Sequence, residues 1–328
     1  MKKLFLSAVG VVAVLVLGLG FGVGCACPAY VAGRRVAPPV PGDVKHAEGR
    51  LEGKDGVSLL VQSWKPAQGE TKAVVVVVHG LKDYSDRYAD FAHALTQHGY
   101  AVHALDQRGH GDSAGDRVWV DRFTDYLDDL QRFVEQVQAE EPGKPLFLFG
   151  HSMGGAVVTL FTLTRHPKAQ GLVLSGAALK ADAPALLRGS VHFFSVVAPK
   201  LAVFELKDEQ FCRDPKVVAS MAKDPLIFDG KGPARTASEV LNAIADIREK
   251  SKELSLPVLA MHGSADAVTP PSGDDDLVAA ASSKDKTAKK YPGLFHDLLH
   301  EPEAAQVTQD VIGWLDAHLP APAAGAQP

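Results

Sequence analysis

Residues 145–154 read PLFLFGHSMG, a short apolar run followed by a serine that lies between two glycines. The run predicts a buried strand, and the apolar residues 156–164 that follow it predict a helix. Gly-x-Ser-x-Gly at such a junction is typical of a sharp turn that holds its serine in strained backbone geometry. Side chains in place of Gly150 or Gly154 would collide with neighbouring elements. Ser152 is therefore the candidate nucleophile.

The segments around this turn alternate between strand and helix patterns. Apolar runs or alternation predict strands at residues 57–64, 73–78, 100–105, 171–175 and 256–261. Apolar spacing predicts helices at residues 90–98 and 126–137. Parallel strands need long crossovers, so this alternation favours a mostly parallel sheet with helices on both faces. The expected class is α/β, specifically the α/β-hydrolase fold, in which ligands gather at the carboxyl ends of strands.

The chain is too long between two of these strands for a simple connection. About 80 residues separate Ser175 from Leu256, whereas usual connections have a few residues. We therefore expect a helical cap at residues 177–250, inserted between two core segments at residues 46–176 and 251–319. The last residues, 320–328, are rich in Ala, Pro and Gly and are expected to form a flexible tail.

The N-terminus has the pattern of a targeting segment. Lys2 and Lys3 precede an apolar run that ends at Gly24, so residues 1–27 are expected to be a signal or membrane anchor. A cleaved signal, a retained anchor and lipidation at Cys25 all remain open, although Gly22 stands where lipoprotein signals usually have Leu. An exported or membrane-anchored protein is expected, rather than a free cytoplasmic one. Residues 28–45 then indicate a linker.

Composition excludes several other classes. Apolar residues make up 46% and charged residues 22%, which is an ordinary globular balance, and the formal charge of -5 gives no reason to expect nucleic acid as a partner. The three cysteines, at positions 25, 27 and 212, lack zinc spacing. Cys212 is interpreted as a lone structural thiol.

A serine nucleophile needs a histidine base and a carboxylate that orients it. In this fold the acid and then the histidine follow the serine along the chain, each in the loop after a later strand. Asp266 follows the strand at residues 256–261, and His296 follows the short segment at residues 289–291. The rival acids at positions 274–276 are interpreted as a solvated helix start.

Two backbone N–H groups are expected to form an oxyanion hole. His79 and Gly80 follow the apolar run at residues 73–78, where this fold places one donor, so Leu81 and Met153 are the candidate donors. A plain strand-to-helix turn at this place is the alternative.

His296 and His300 also invite a metal hypothesis, because two histidines four residues apart resemble a zincin helix with Asp297 in place of Glu. Pro292, Gly293 and Pro302 leave little room for a long helix there. The prediction is therefore no metal, and His300 is interpreted as a local polar contact.

These motifs together resemble the monoacylglycerol lipase and lysophospholipase family, over residues 53–319. The motifs are HG at 79–80, DRY at 86–88, DQRGHGDS at 106–113, GHSMGG at 150–155, HGSAD at 262–266 and PGLFH at 292–296. The resemblance implies the same triad and oxyanion donors, no cofactor, and a cap that forms an acyl-binding tunnel. It also implies that residues 106–113 fix a loop near the site.

The expected function is hydrolysis of a carboxylic ester through an acyl-enzyme, with a monoacylglycerol or lysophospholipid as substrate. Apolar residues at 191–204 are too many for a solvated loop, so some must be buried, and Phe193, Phe194 and Val197 are candidate substrate contacts. A short-chain carboxylesterase and a serine C–C hydrolase or peptidase remain alternatives. The intact triad argues against a non-catalytic binding protein, and Ser152 stands where dehalogenases and epoxide hydrolases need a carboxylate.

Overall fold

The computed structural model describes residues 35–321. The predicted N-terminal signal or anchor lies outside the described residues, as do residues 28–34 of the predicted linker and residues 322–328 of the predicted tail. Within residues 35–321, no helix has both the length and the apolar character needed to cross a bilayer.

Ten strands and eight α-helices are formed between residues 35 and 321. The strands are β1 Val44–Glu52, β2 Ser58–Pro66, β3 Ala73–Val78, β4 Tyr100–Leu105, β5 Leu146–His151, β6 Gly171–Ser175, β7 Ala202–Phe204, β8 Gly232–Pro233, β9 Val258–Gly263 and β10 Lys286–Tyr291. The helices are α1 Ala89–Gln97, α2 Phe123–Glu140, α3 Met153–Arg165, α4 Ala185–Val197, α5 Pro215–Met221, α6 Ala234–Lys250, α7 Ser272–Ala280 and α8 Ala304–Ala317.

Eight strands form the central sheet in the order β1-β2-β4-β3-β5-β6-β9-β10. β2 pairs antiparallel with β1 and β4, and every other pairing in this sheet is parallel. The predicted mostly parallel sheet is confirmed. Because β5, β9 and β10 run parallel, the loops that carry Ser152, Asp266 and His296 leave the same edge of the sheet.

The central strand β3 shows why the sheet is buried on both sides. Val74, Val76 and Val78 pack in a core with residues of α2 and α3. Val75 and Val77 point to the opposite face and pack with residues of α1 and α8. A strand covered by helices on both faces needs apolar residues at every position, and β3 has them.

The chain between β6 and β9 contains α4, β7, α5, β8 and α6. Within this insertion α6 packs against α4, and it also contacts α3 of the core. A small separate core joins the insertion to the main sheet's loops and consists of Tyr84, Phe211, Met221, Leu226 and Ile227.

Strand β1 has no strand pattern in the sequence. Its residues VKHAEGRLE bury only Val44, because β1 is an edge strand that pairs with β2 alone. It begins inside residues 28–45, which the sequence analysis assigned to a linker. Arg35 fastens the segment before β1 to the core by pairing with Asp86 and Glu48, each at 2.7 Å.

Candidate active site

Ser152 lies in the turn between β5 and α3, in the strained conformation that the sequence predicts. Its φ is 53° and its ψ is -122°, which places a non-glycine residue in a costly region. A Cβ on Gly154 would lie 2.1 Å from the Val78 carbonyl oxygen, and one on Gly150 would lie 2.5 Å from Val158 Cγ2. The two glycines therefore allow β5, α3 and β3 to approach closely enough to hold the turn.

The backbone of Ser152 is fixed by its neighbours. Its N–H donates to the Ser175 carbonyl at 3.0 Å, and its carbonyl accepts from Gly155 and Ala178, each at 2.9 Å. These bonds connect the turn to the end of β6. The serine is thus held by structure on both sides and does not depend on its own side chain for position.

Asp266 and His296 form a buried pair. His296 Nδ1 lies 2.7 Å from Asp266 Oδ2, and both side chains are fully buried. Asp266 Oδ1 also accepts from the backbone N–H groups of Val268 at 2.7 Å and Thr269 at 3.0 Å. Burial alone would raise the pKa of Asp266, but contacts with His262 and His296 outweigh it and hold this pKa well below its usual range.

The other ring nitrogen of His296 is available as a base. His296 Nε2 is buried and has no hydrogen-bond partner among residues 35–321. The rings of His151 and Phe211 pack around His296, with centroids 4.8 Å and 5.3 Å away. Since His151 directly precedes Ser152, the imidazole lies beside the nucleophile turn. Hydrogen bonds between a catalytic serine and its base often form fully only when substrate is present.

The three rival acids, Asp274, Asp275 and Asp276, differ in burial and in their partners. Asp275 and Asp276 pair on the surface with Lys290 and Lys180. Asp274, in the first turn of α7, is only 1% exposed and lies 3.0 Å from His262 Nδ1. The interpretation of a solvated helix start is therefore wrong for Asp274, because a buried histidine partner compensates its desolvation.

Two backbone N–H groups near Ser152 are unpaired within residues 35–321, which an oxyanion hole requires, and their role as its donors stays a prediction. The N–H groups of Leu81 and Met153 donate to no acceptor in the part of the chain that the structure describes. Met153 is the first residue of α3, where a helix presents unsatisfied donors and the positive end of its dipole. A Cβ on Gly80 would lie 2.9 Å from Ser152 Cβ, so the turn before Leu81 contacts the serine.

His79 holds this turn, a role that the sequence analysis did not assign. Its Nδ1 donates to the Gly80 carbonyl at 2.7 Å, and its Nε2 accepts from the N–H of Gln107 at 2.9 Å. The Gln107 side chain donates back to the His79 carbonyl at 2.6 Å. The Gly80 carbonyl fixes the peptide plane that also carries the Leu81 N–H. The HG and DQ motifs signalled these residues, although not their contacts.

Thr269 was also missed by the sequence analysis. Its hydroxyl donates to Asp266 Oδ2 at 2.9 Å or to the Gly176 carbonyl at 3.0 Å, and it lies 3.2 Å from His296 Nδ1. No motif marks it, because its position depends on how the loop after β9 turns back.

The apolar residues of α4 lie differently from the expectation. Phe193, Phe194 and Val197 are 59%, 36% and 58% exposed, and Ser195 is the one buried residue of this helix. No apolar side chain of residues 191–204 is buried, so the expectation that some of them are is wrong. The contact of these three side chains with substrate stays a prediction. They form an exposed apolar surface on α4, together with Leu186, Leu187 and Val196.

No described cavity establishes the acyl-binding tunnel. A cavity of about 370 Å³ lies between Tyr84 and the insertion, where Lys223, Asp224 and Leu226 also line it, but neither Ser152 nor His296 does. The tunnel therefore stays a prediction.

The two histidines of the metal hypothesis, His296 and His300, do not lie on a helix. Residues 296–300 form turns, and His296 and His300 have different partners. His300 Nε2 donates to the Arg87 carbonyl at 3.0 Å, and its Nδ1 lies 2.8 Å from Asp297. Within residues 35–321 no group of three or more His, Cys, Asp or Glu side chains is arranged to hold a metal ion.

Residues 106–113 form a loop held by a buried carboxylate, as the resemblance implied. Asp106 accepts from the N–H groups of Ser85 and Asp112, each at 2.7 Å.

Cys212, a buried free cysteine, donates from Sγ to the His300 carbonyl at 3.0 Å.

Comparison with known proteins now decides the family. The family described as "Serine aminopeptidase, S33" matches residues 69–303. The chain belongs to this family. The monoacylglycerol lipase of Mycolicibacterium smegmatis is 33% identical over 276 residues, which cover 83% of this chain and 98% of that protein. The monoglyceride lipase of Homo sapiens is 33% identical over 265 residues, which cover 80% and 86% of the two chains.

A solved structure agrees with these relatives. The crystal structure of the Paleococcus ferrophilus monoacylglycerol lipase superposes with a TM-score of 0.68 at 27% identity, over 84% of this chain and 99% of that one. The predicted α/β-hydrolase fold, the resemblance to monoacylglycerol lipases and the prediction of a serine carboxylic-ester hydrolase are confirmed.

Proposed function

We propose that this enzyme cleaves the ester bond of monoacylglycerols or lysophospholipids through an acyl-enzyme on Ser152. The observation that carries the proposal is the buried His296–Asp266 pair, whose imidazole packs against His151, the residue before a serine held at a φ of 53°. Its Nε2 has no hydrogen-bond partner among residues 35–321. This pair supplies the oriented base that a serine hydroxyl needs. Relatives named as monoacylglycerol and monoglyceride lipases support the substrate class.

The first half of the reaction follows from these groups. Ser152 Oγ attacks the ester carbonyl while His296 Nε2 takes the hydroxyl proton, and Asp266 stabilises the imidazolium that forms. The negative charge that develops on the carbonyl oxygen is received by the N–H groups of Leu81 and Met153. His296 then returns the proton to the departing glycerol oxygen, which releases glycerol from a monoacylglycerol or the glycerophosphodiester from a lysophospholipid.

Water completes the cycle. His296 takes a proton from the water that attacks the acyl-Ser152 ester, and the same two N–H groups receive the second oxyanion. Collapse of this intermediate returns the proton to Ser152 Oγ and releases the fatty acid. No cofactor is required for any step.

The exposed surface of α4 favours a lipid over a small soluble ester. Six apolar side chains on one short helix, among them Phe193 and Phe194, face solvent. Exposed apolar patches of this kind mark sites that bind apolar partners. A monolayer or micelle of the substrate is a partner of that chemistry. The runner-up, a short-chain carboxylesterase, has the same triad but gains nothing from this surface.

A peptidase is favoured less, although the family description names an aminopeptidase. An enzyme for free peptide N-termini needs a carboxylate to bind the ammonium group. The buried carboxylates of Asp297 and Asp83 act electrostatically on His151, and both pair with Arg87, at 2.8 Å and 3.0 Å. Neither is free for a substrate.

One panel of substrates tests the proposal. Purified full-length enzyme is assayed with monoacylglycerols, lysophospholipids, p-nitrophenyl acetate and amino-acid p-nitroanilides, with Ser152→Ala as the blank. The proposal expects the highest kcat/KM on one of the two lipid classes. Turnover of anilides above the lipid esters would replace it with the peptidase alternative.

The location of the enzyme is part of the same proposal. Residues 1–27 would hold the enzyme at the membrane or export it, either through the apolar run or through a lipid on Cys25. An enzyme held at a bilayer would meet lipid esters where they concentrate.

A further inference from the structure

The carboxylate of Asp266 lies between two imidazole rings. Its Oδ2 is 2.7 Å from His296 Nδ1 and 3.0 Å from His262 Nε2. His262 is near the end of β9, four residues before Asp266, and all three side chains are fully buried. The proposed mechanism uses His296 and Asp266 and gives no part to His262.

The partners of His262 determine its protonation. Its Nδ1 lies 3.0 Å from Asp274 Oδ2, and its Nε2 lies 3.1 Å from the Thr269 carbonyl oxygen. A carbonyl oxygen and an ionised carboxylate can only accept hydrogen bonds, so both ring nitrogens are donors when Asp274 is ionised. An imidazole with two donating nitrogens is a cation.

The charges around His262 agree with this state. Burial lowers the pKa of His262, but the carboxylates of Asp266 and Asp274 outweigh burial and raise it to about 9. From α7, Asp275 also faces this region, and it pairs with Lys290 of β10, the residue in register with His262. Each cation in the cluster therefore has at least one carboxylate partner.

A structural role alone would account for only half of this arrangement. An ion pair between His262 and Asp274 ties α7 to the end of β9, which needs one ring nitrogen. The other nitrogen lies against Asp266 and Thr269, which are themselves the partners of His296. The second contact places a positive charge directly behind the carboxylate that orients the base.

We propose that His262 is a positioning residue, held as a cation by Asp274, that orients Asp266 and offsets its negative charge so that His296 remains a neutral base at lower pH. The proposal rests on the function proposed above, in which His296 activates Ser152. Without the cation, Asp266 would stabilise the imidazolium form of His296 more strongly. The acid limit of Ser152 reactivity would then move to higher pH.

The experiment measures how fast a fluorophosphonate probe labels Ser152 as a function of pH, which does not depend on the identity of the natural substrate. Full-length wild type is compared with His262→Gln and Asp274→Asn. The midpoint of the acid limb should rise by roughly two pH units in His262→Gln, the size expected when a unit charge about 6 Å away is lost at an effective dielectric constant of about 20. Asp274→Asn should shift it in the same direction, because an amide that donates to Nδ1 leaves His262 neutral.

His103→Gln is the matched control, since His103 is also buried but lies on β4 beside Glu141. Its acid midpoint should equal that of wild type, whatever its effect on thermal stability. Midpoints of folded His262→Gln or Asp274→Asn that coincide with wild type would reduce His262 to a structural contact. If His262→Gln does not fold, Asp274→Asn decides alone, because it keeps the imidazole in place. Labelling that persists in Ser152→Ala would instead reject the proposed function itself.

Discussion

Gly80 lies directly against Ser152: a Cβ on the glycine would be 2.9 Å from Ser152 Cβ, closer than real side chains approach. It would also lie 3.2 Å from His151 Cδ2. Gly80→Ala should therefore push the turn that carries the Leu81 N–H away from the serine. We expect kcat to fall about 100-fold, as when one oxyanion donor is lost, and the free energy of unfolding to fall by about 1–3 kcal/mol through overpacking. Steady-state kinetics and denaturant unfolding measure both.

Gly313→Ala is the control for this substitution. Gly313 lies within α8, and no atom outside its own helix is near enough to meet an added Cβ. Alanine there should raise the free energy of unfolding by about 0.5–1 kcal/mol and leave kcat unchanged. Wild-type kcat in Gly80→Ala would show that the contact with Ser152 does not position the oxyanion hole.

Ser152→Ala should lower kcat about 10⁴-fold or more, and His296→Ala should do so similarly, because triad members act as one unit. Ser152→Ala should unfold at wild-type denaturant concentrations within experimental error, whereas His296→Ala should fold but unfold at lower denaturant, because it removes the buried partner of Asp266. Labelling by a fluorophosphonate probe, read on a gel, checks the nucleophile. A labelled Ser152→Ala protein would assign the nucleophile to another serine.

The elements of the site that the sequence could predict are those that chain order and sterics determine. Ser152 was predictable because a strand followed by Gly-x-Ser-x-Gly allows only one type of turn. Asp266 and His296 were predictable because each follows a parallel strand, and the carboxyl ends of parallel strands lie at the same edge of the sheet as Ser152. His262 and Thr269 were not, since their contacts depend on how the loop after β9 folds back over Asp266.

Two further differences have physical causes. β1 was missed because an edge strand on the surface does not need the apolar alternation that marks buried strands. The exposure of Phe193 was missed because the apolar content of a helix predicts only that the helix has an apolar partner. It does not show whether that partner is the rest of the chain or another molecule.

Stability should be greatest near pH 7 and fall in acid. Burial lowers the pKa of His151 to about 4 and that of His110 to about 3, both below the unfolded value of 6.5. Between pH 6.5 and the folded values the unfolded chain binds more protons than the folded one, so stability is lost as pH falls. At pH 5 each of these two histidines should lower the free energy of unfolding by about 2 kcal/mol relative to pH 6.5 and above.

Above pH 7 the free energy of unfolding should fall as pH rises, which is the opposite dependence. The pKa of His262 is raised to about 9, so its contribution is complete below pH 6.5 and is lost as pH rises through 9. Denaturant unfolding at pH 5, 7 and 9.5 measures both limbs, and His110→Gln should flatten the acid limb. A free energy of unfolding that stays constant from pH 7 to 5 would contradict the buried neutral state of both histidines.

The N-terminal residues should determine where the enzyme is found in the cell. Full-length enzyme should fractionate with membranes or outside the cytoplasm, and deletion of residues 1–27 should leave active enzyme in the cytosol. Cys25→Ser separates the alternatives: lost membrane association indicates a lipid anchor, whereas retained association indicates the apolar run. Recovery of intact full-length enzyme in the soluble cytosol would contradict the proposed location.

The exposed apolar surface of α4 should matter for long-chain substrates. Acyl burial stabilises by about 0.8 kcal/mol per methylene, so kcat/KM on p-nitrophenyl esters should rise by roughly fourfold per CH₂ from acetyl to at least octanoyl. In Phe193→Glu/Phe194→Glu the gain with chain length should shrink, because bringing acyl chains against two carboxylates costs the desolvation of both charges. Activity on the acetyl ester should stay near wild type. Both side chains are exposed, so the double variant should fold.

The matched control is Gln138→Glu/Ala139→Glu, which adds the same two charges to the exposed side of α2, away from α4. It should keep the wild-type dependence on chain length. A flat or falling profile in wild type would favour the short-chain carboxylesterase. An equal loss on acetyl and octanoyl esters in the α4 variant would mean that the helix affects the triad itself, because a surface that only recruits lipid cannot change the hydrolysis of a soluble acetate.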